Sequence, residues 1–193
     1  MANPHQLAAS IRDDQENFAK RYQFGRAGEL EIQSRLKKAG YNILATCQIV
    51  PESGHGGPRI VTPTKNDPVV ADFFVWRGVV SRWIEVKHKS AFSWYRKTSC
   101  WVTGINLHQY RDYQEIERTS PWPLWLFFLH DGDYAIGSPF PDSPSGLFGN
   151  KLSYLTAHEH HRATQWGSSG MVYWAIEQLE PLDREAKQSI KRF

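Results

Sequence analysis

The chain has 193 residues, 40% of them hydrophobic and 22% charged, which fits one domain with a full core and excludes a disordered polymer. Its net charge of +3 permits a nucleic-acid partner without demanding one. Two cysteines, neither in a Cys-x-x-Cys pair, exclude a cysteine-rich zinc module, and the longest apolar run, "PLWLFFL", is too short to span a bilayer.

The opening stretch lacks the apolar core of a signal peptide, so a soluble protein in a reducing, cytoplasmic setting is expected. Residues 4–22 carry scattered apolar positions (Leu7, Ile11, Phe18, Tyr22) and suit a weakly amphipathic helix or arm. "GRAGELEIQSRLKKAG" is a helix with Gly40 placed to stop it, and "YNILATCQIV" is a strand. The loop from Pro51 to Pro68 is longer than a connection needs and holds the cluster "GHGG", best read as a turn; the loop's length hints at binding or gating.

"VVADFFVW" and "RWIEVKHKS" follow as two strands joined by a short hairpin turn. "AFSWYRKTSCWVTG" reads as irregular, basic and aromatic. "INLHQYRDYQEIERT" is a helix with Leu107, Tyr110, Tyr113 and Ile116 near one face. "PLWLFFLH" has the pattern of a strand buried on both faces, and "DGDYAIGSP" is expected to return as a hairpin strand. The next thirty residues resist assignment. In "HEHHR", the adjacent His160 and His161 are expected to point apart, which favours a polar surface segment over a zinc site. "MVYWAIEQL" looks like a last strand, followed by a short charged helix to Phe193. Repeats are absent, and no composition break argues for two domains.

The charges in "RWIEVKHKS" need a reason. Side chains alternate along a strand, so Glu85 and Lys87 share one face while Ile84 and Val86 take the other. If the hairpin pairs these strands, Asp72 stands beside Glu85. Carboxylates about 4 Å apart repel by roughly 4 kcal/mol at an effective dielectric near 20. Such a pair persists when one member is protonated or a cation sits between them. Oxygen donors without a nearby cysteine favour magnesium or manganese. A solvated strand face or a plain Glu–Lys ion pair is the simpler reading of "ExK" taken by itself.

Asp72, twelve intervening residues, then Glu85-Val86-Lys87 resembles the signature of the PD-(D/E)xK nuclease superfamily, with Ala71 where the family name has proline. The surroundings are similar too: a helix carrying Glu29 before the first strand, and a helix then a buried strand after the lysine. At about 100° per residue Glu29 shares a helix face with Ile32 and Leu36, whereas Glu31 turns to water. The resemblance covers roughly residues 25–130. It implies a restriction-endonuclease-like α/β fold, a mixed central sheet flanked by helices in the order helix-strand-strand-strand-helix-strand. It divides the chain into an N-terminal helix or arm (1–24), a nuclease core (25–138) and a C-terminal extension on the same domain (139–193).

Carried over by position, the resemblance implies that Asp72, Glu85 and the Val86 carbonyl bind Mg2+, with Mn2+ able to substitute. Lys87 would position or activate the attacking water, and Glu29 would hold the metal's water or a second metal. Arg26, Lys89, Arg96, Lys97 and Gln109 are candidates for gripping phosphates, and Trp94 for stacking a base. The activity implied is a Mg-dependent deoxyribonuclease, an endonuclease on branched or duplex DNA of the Holliday-junction-resolvase, repair or phage type. Homodimerisation is left open. Two rivals remain: a module of the same fold that binds nucleic acid without cutting it, and a Trp-rich carbohydrate- or protein-binding domain, which would show exposed aromatics in a row and no acidic cluster.

Overall fold

A computed structural model describes residues 4–46, 58–63, 67–165 and 169–189. The first element, α1 (Pro4–Lys38), is one continuous helix that runs through both the expected arm and the helix bearing Glu29. Gly28 decides where it seats. A Cβ there would lie 2.5 Å from the Cβ of His88, so only glycine lets the helix cross the sheet this closely. His88 fastens the crossing by donating from Nδ1 to the Phe24 carbonyl (2.7 Å) and stacking on the Phe24 ring (3.9 Å). The helix ends as expected at Gly40. That residue sits at φ 81°, its N–H bonds to Lys37 O, and the N–H of Tyr41 reaches back to Leu36 O.

Six strands form the central sheet. In chain order they are β1 (Asn42–Ala45), β2 (Phe73–Arg77), β3 (Val80–Lys89), β6 (Leu124–His130), β7 (Gly146–Lys151) and β10 (Glu180–Pro181), and they lie side by side in that same order. Only β3 and β6 run parallel; the other neighbours are antiparallel. A parallel pair needs a long crossover. Here it is supplied by a hairpin, β4 (Ser93–Tyr95) and β5 (Cys100–Asn106), followed by α2 (Leu107–Thr119). The hairpin joins β9 (Met171–Ala175) and β8 (His161–Ala163) in a second, four-stranded antiparallel sheet. Two short helices complete the chain, α3 (Leu152–Ala157) and α4 (Arg184–Ser189). The result is the expected mixed α/β fold, a mixed central sheet with helices on both sides.

Two cores explain the strand patterns. On one face Ile32 and Leu36 of α1 meet Phe73, Val75, Ile84, Val86, Phe127, Leu129 and Leu147. On the other, Tyr110, Tyr113 and Ile116 of α2 meet Leu124, Leu126, Phe128 and Phe148. Strand β6 feeds both, which is why "PLWLFFLH" carries no polar alternation. At the rim of the first core Arg35 pairs with Glu31 (2.7 Å) and with Asp183, whose carboxylate also accepts from the backbone N–H groups of Leu147 (3.0 Å) and Ala186 (2.7 Å).

The structure departs from the sequence reading in several places, among them the last strand, since β10 follows "MVYWAIEQL". "AFSWYRKTSCWVTG" is a regular hairpin, not an irregular segment. "DGDYAIGSP" forms no strand: Gly132 and Gly137 take positive φ, and Tyr134 and Ile136 are exposed. The strand that pairs with β6 is instead "GLFGNK", hidden by its glycines. Gly149 faces the Leu126 carbonyl so closely that a Cβ would lie 2.5 Å from it. Of the long loop, "GHGG" lies outside the described residues, as does Cys47. The described part closes on itself through an Arg59–Val69 bridge and an Arg59 Nη1 to Asp67 O hydrogen bond (2.6 Å). Among the described residues no helix is long and apolar enough to cross a membrane.

Candidate active site

Register brings the acidic residues together. Phe73 pairs with Ile84, which sets Asp72 opposite Glu85 at the point where β2 begins. The two strands part there, and side chains take over from the ladder. The Val86 N–H donates to Asp72 Oδ2 (2.8 Å), and the Asp72 N–H donates to Glu85 Oε2 (3.3 Å). Glu85 Oε1 lies 2.6 Å from Lys87 Nζ. Both side chains leave β3 on the face covered by α2, whereas Ile84 and Val86 enter the α1 core. Tyr113 of α2 borders the cluster, with the Lys87 ammonium 5.8 Å from its ring centroid.

Burial and mutual charge set the electrostatics. Enclosure, then the charge of Glu85, pushes the Asp72 carboxyl well above its usual range, and Lys87 only partly offsets this. Burial alone would lower Lys87, but Glu85 and Asp72 outweigh it and hold the ammonium above its ordinary value. Lys89, two residues on and on the same face, has no such carboxylate. Burial and the nearby Lys87 charge bring it down to about 8. Tyr113 is pushed well above its ordinary value by burial and by the two carboxylates.

Glu29 stands at the margin of this centre, half-buried on α1 and accepting from Arg26 Nη1 at 2.6 Å. Its charge helps raise both Asp72 and Lys87. Glu31 is exposed and pairs with Arg35, so the helix phase expected from the sequence is the observed one. Accordingly Glu29→Gln should reduce turnover about tenfold or more in a metal-supplemented cleavage assay, with Glu31→Gln near wild type. A larger effect at Glu31 would place the centre elsewhere.

The crowding at Asp72 has a consequence for stability. Its folded-state pKa lies above the unfolded value, so the folded protein binds the extra proton, and stability falls as pH rises from about 3.8 through the raised value. Asparagine keeps the acceptor for Val86 N–H and removes the charge. In chelator at neutral pH, Asp72→Asn should raise Tm by about 2–4 °C, the shift that ~1 kcal/mol makes in a chain of this size. A lowered Tm would show that Asp72 is an ordinary structural partner.

The other candidates are spread more widely. Arg26 is engaged with Glu29. Gln109 is half-buried on α2, one turn before Tyr113. Trp94 lies on β4, its ring met edge-on by Trp101 (5.0 Å) and Phe140 (5.6 Å). Arg96 and Lys97 are exposed in the β4–β5 turn, with the Arg96 guanidinium lying over Gly137. His160 and His161 do not point apart, since their Nδ1 atoms are 2.7 Å from each other. His160 precedes β8, so strand alternation does not separate the rings, and His161 stacks between Tyr95 and Tyr173. Tyr113, which its place on the helix after the motif offers together with Gln109 as a polar group for a nucleic-acid backbone, is buried on α2 beside Lys87 and the two carboxylates.

Among the described residues no group of three or more His, Cys, Asp or Glu side chains is gathered so as to hold a metal ion; the acidic centre is a pair with Glu29 beside it. No protein-family model matches the chain, and no curated protein matches it. Among solved structures, the chain is similar to a Holliday junction resolvase from the archaeal hyperthermophile Archaeoglobus fulgidus. Identity is 11%, the alignment covers 80% of this chain and 90% of that one, and the TM-score is 0.46.

Proposed function

We propose that this chain is a metal-dependent deoxyribonuclease that hydrolyses phosphodiester bonds, an endonuclease on branched or duplex DNA. The observation that carries this reading is the contact of Asp72, Glu85 and Lys87 where β2 and β3 part. An isolated Glu–Lys pair would leave Asp72 unexplained. A carboxyl group crowded beside a second carboxylate, with its pKa pushed up, is what a hard cation relieves, and every donor at the centre is oxygen. Asp72 and Glu85 would hold Mg2+ or Mn2+, with the Val86 carbonyl and Glu29 as further oxygen donors. When bound, such an ion makes water more acidic and offsets charge building on the phosphate.

The chain's own groups do the rest. Lys87 and the Asp72 N–H fix the direction of the Glu85 carboxylate. Lys87, held charged by its neighbours, orients the attacking water and steadies a phosphate oxygen rather than removing a proton. Lys89 extends the positive charge along β3 on the same face. Arg26, Gln109, Arg96 and Lys97 are the further candidates for backbone contact, and the product would carry a 5′-phosphate. Homodimerisation and a cytoplasmic setting belong to the same reading. A module that binds without cutting would have no chemical reason to keep Glu29, Asp72, Glu85 and Lys87 in one place.

The test is a single-turnover assay on linear duplex, single-stranded, nicked and four-way-junction DNA with Mg2+ or Mn2+. Cleavage should appear with metal and stop with chelator. A pure, folded chain that leaves all four substrates intact with either ion would overturn the reading.

A further inference from the structure

The sheet face that carries Asp72 and Glu85 continues away from them as a row of aromatic rings. Opposite residues share a face, and so do alternate residues along a strand. One step past the Asp72–Glu85 pair, Phe74 stands opposite Trp83, with Leu44 of β1 on its other side. A second step on, Trp76 stands opposite Ser81. Trp122, from the connection between α2 and β6, meets Phe74 edge-on at 4.8 Å, and Phe74 lies 4.8 Å from Trp83 and 6.1 Å from Trp76. The Trp83 indole N–H donates to Ser120 Oγ (3.0 Å), which locks that ring as the base of the row.

Helix α2 covers the β6 side of this face and leaves the β1–β2 side open. Leu44 is 55% exposed, Trp122 42% and Trp76 37%, which is unusual for large apolar side chains standing together. On the opposite side of the carboxylates, Lys87 and Lys89 continue along β3. One face thus presents, in sequence, exposed rings, two carboxylates and two cations. Phe74 and Trp76 stand about 7 and 14 Å beyond Asp72 along the strand.

We infer that this row is a stacking platform for unpaired bases, and that the strand to be cut lies across the site single-stranded on this side, its phosphates directed toward Lys87 and Lys89. The inference rests on the nuclease reading for the direction of the strand. Stacking on aromatic side chains suits any base, because each has a π-face. In plain duplex those faces are already covered by neighbouring base pairs, so only an unpaired segment can use the rings. Continuity with the carboxylates, and cations on the far side, favour a polyanion with exposed rings over a neutral or protein partner. Trp94, the residue whose position in the sequence suggested stacking, is partly buried, with its ring edge-on to Trp101 and Phe140.

The test reads binding in chelator, where no cleavage occurs, with labelled oligothymidylate and a blunt duplex as probes. Trp76→Ala and Trp122→Ala should each weaken oligothymidylate binding about tenfold or more and change duplex binding less than about twofold. Trp76→Phe should restore most of the affinity, and an unchanged thermal transition shows that each variant is folded. Equal losses on both probes, or no loss on either, would overturn the inference. So would a wild-type dimer that Trp76→Ala converts to monomer without affecting oligothymidylate, since the face would then be a subunit contact. Binding of neither probe by wild type would remove the nuclease reading as well. Metal-dependent cleavage by variants that bind like wild type would remove this inference alone.

Discussion

Lys87→Ala is expected to lower single-turnover cleavage about a thousandfold while leaving affinity for DNA within a few-fold, measured with Mg2+ at saturating protein. The separation follows from where Lys87 sits. Its ammonium is 2.6 Å from Glu85 and lies against Tyr113, enclosed rather than spread on the surface. It can touch one phosphate at the centre and adds little to the attraction of a long polyanion. Loss of an electrostatic group that acts on charge developing at phosphorus falls on the chemical step. Asp72→Ala and Glu85→Ala should behave in the same way, with a further loss of metal-induced stabilisation. Wild-type magnesium should raise Tm by mass action, and neither alanine variant should show the same rise. Cleavage by Lys87→Ala at the wild-type rate would show that the strand pair is structural.

Gly28→Ala is the second large effect expected, and helix propensity gives it the wrong sign. Alanine in a helix interior is ordinarily worth up to about 1 kcal/mol over glycine. At Gly28 the new Cβ would lie 2.5 Å from His88 Cβ and 2.8 Å from its Cγ, atoms near the backbone of a central strand that cannot swing aside. Helix α1 must lift, with an overpacking cost of roughly 1–3 kcal/mol. Glu29, the next residue, moves with it, so cleavage should fall as well. Gly25 is the control, since a Cβ there meets nothing within 4 Å. Gly25→Ala should stabilise by up to about 1 kcal/mol and cleave normally. Denaturant unfolding and the cleavage assay on the two variants separate seating from propensity. If Gly28→Ala proves as stable and active as Gly25→Ala, the helix does not rest on β3 through this glycine.

Where local pattern and tertiary role agree, the sequence is readable. Glu29, Ile32 and Leu36 repeat at helical spacing and do share a face. Asp72 and Glu85 are separated by a hairpin short enough to fix their register, so their meeting follows from counting. Strand β6 is apolar throughout because both its faces are covered. Legibility fails where a residue type hides its purpose. Gly149 looks like a turn residue and is a strand residue pressed on a neighbouring carbonyl. Tyr113 sits on the apolar face of α2 and yet stands beside the carboxylates. The β4–β5 hairpin owes its form to β9, some seventy residues later in the chain, and no local pattern announces that partner. His160 and His161 converge because the strand starts at the second of them, a boundary finer than spacing alone can place.

The tie between Arg35 and Asp183 also orders events in time. It joins residues 148 positions apart, and the surface under α1 includes Leu147 as well. While the polypeptide is being made, Glu29, Asp72, Glu85 and Lys87 all emerge long before either of those residues. Until Leu147 and Asp183 follow, α1 lacks part of the floor and the ion pair that hold it down. Closing so long a loop is slow compared with forming a helix or a hairpin. All four of these side chains are thus present on the growing polypeptide well before the last contacts that hold α1 over the sheet.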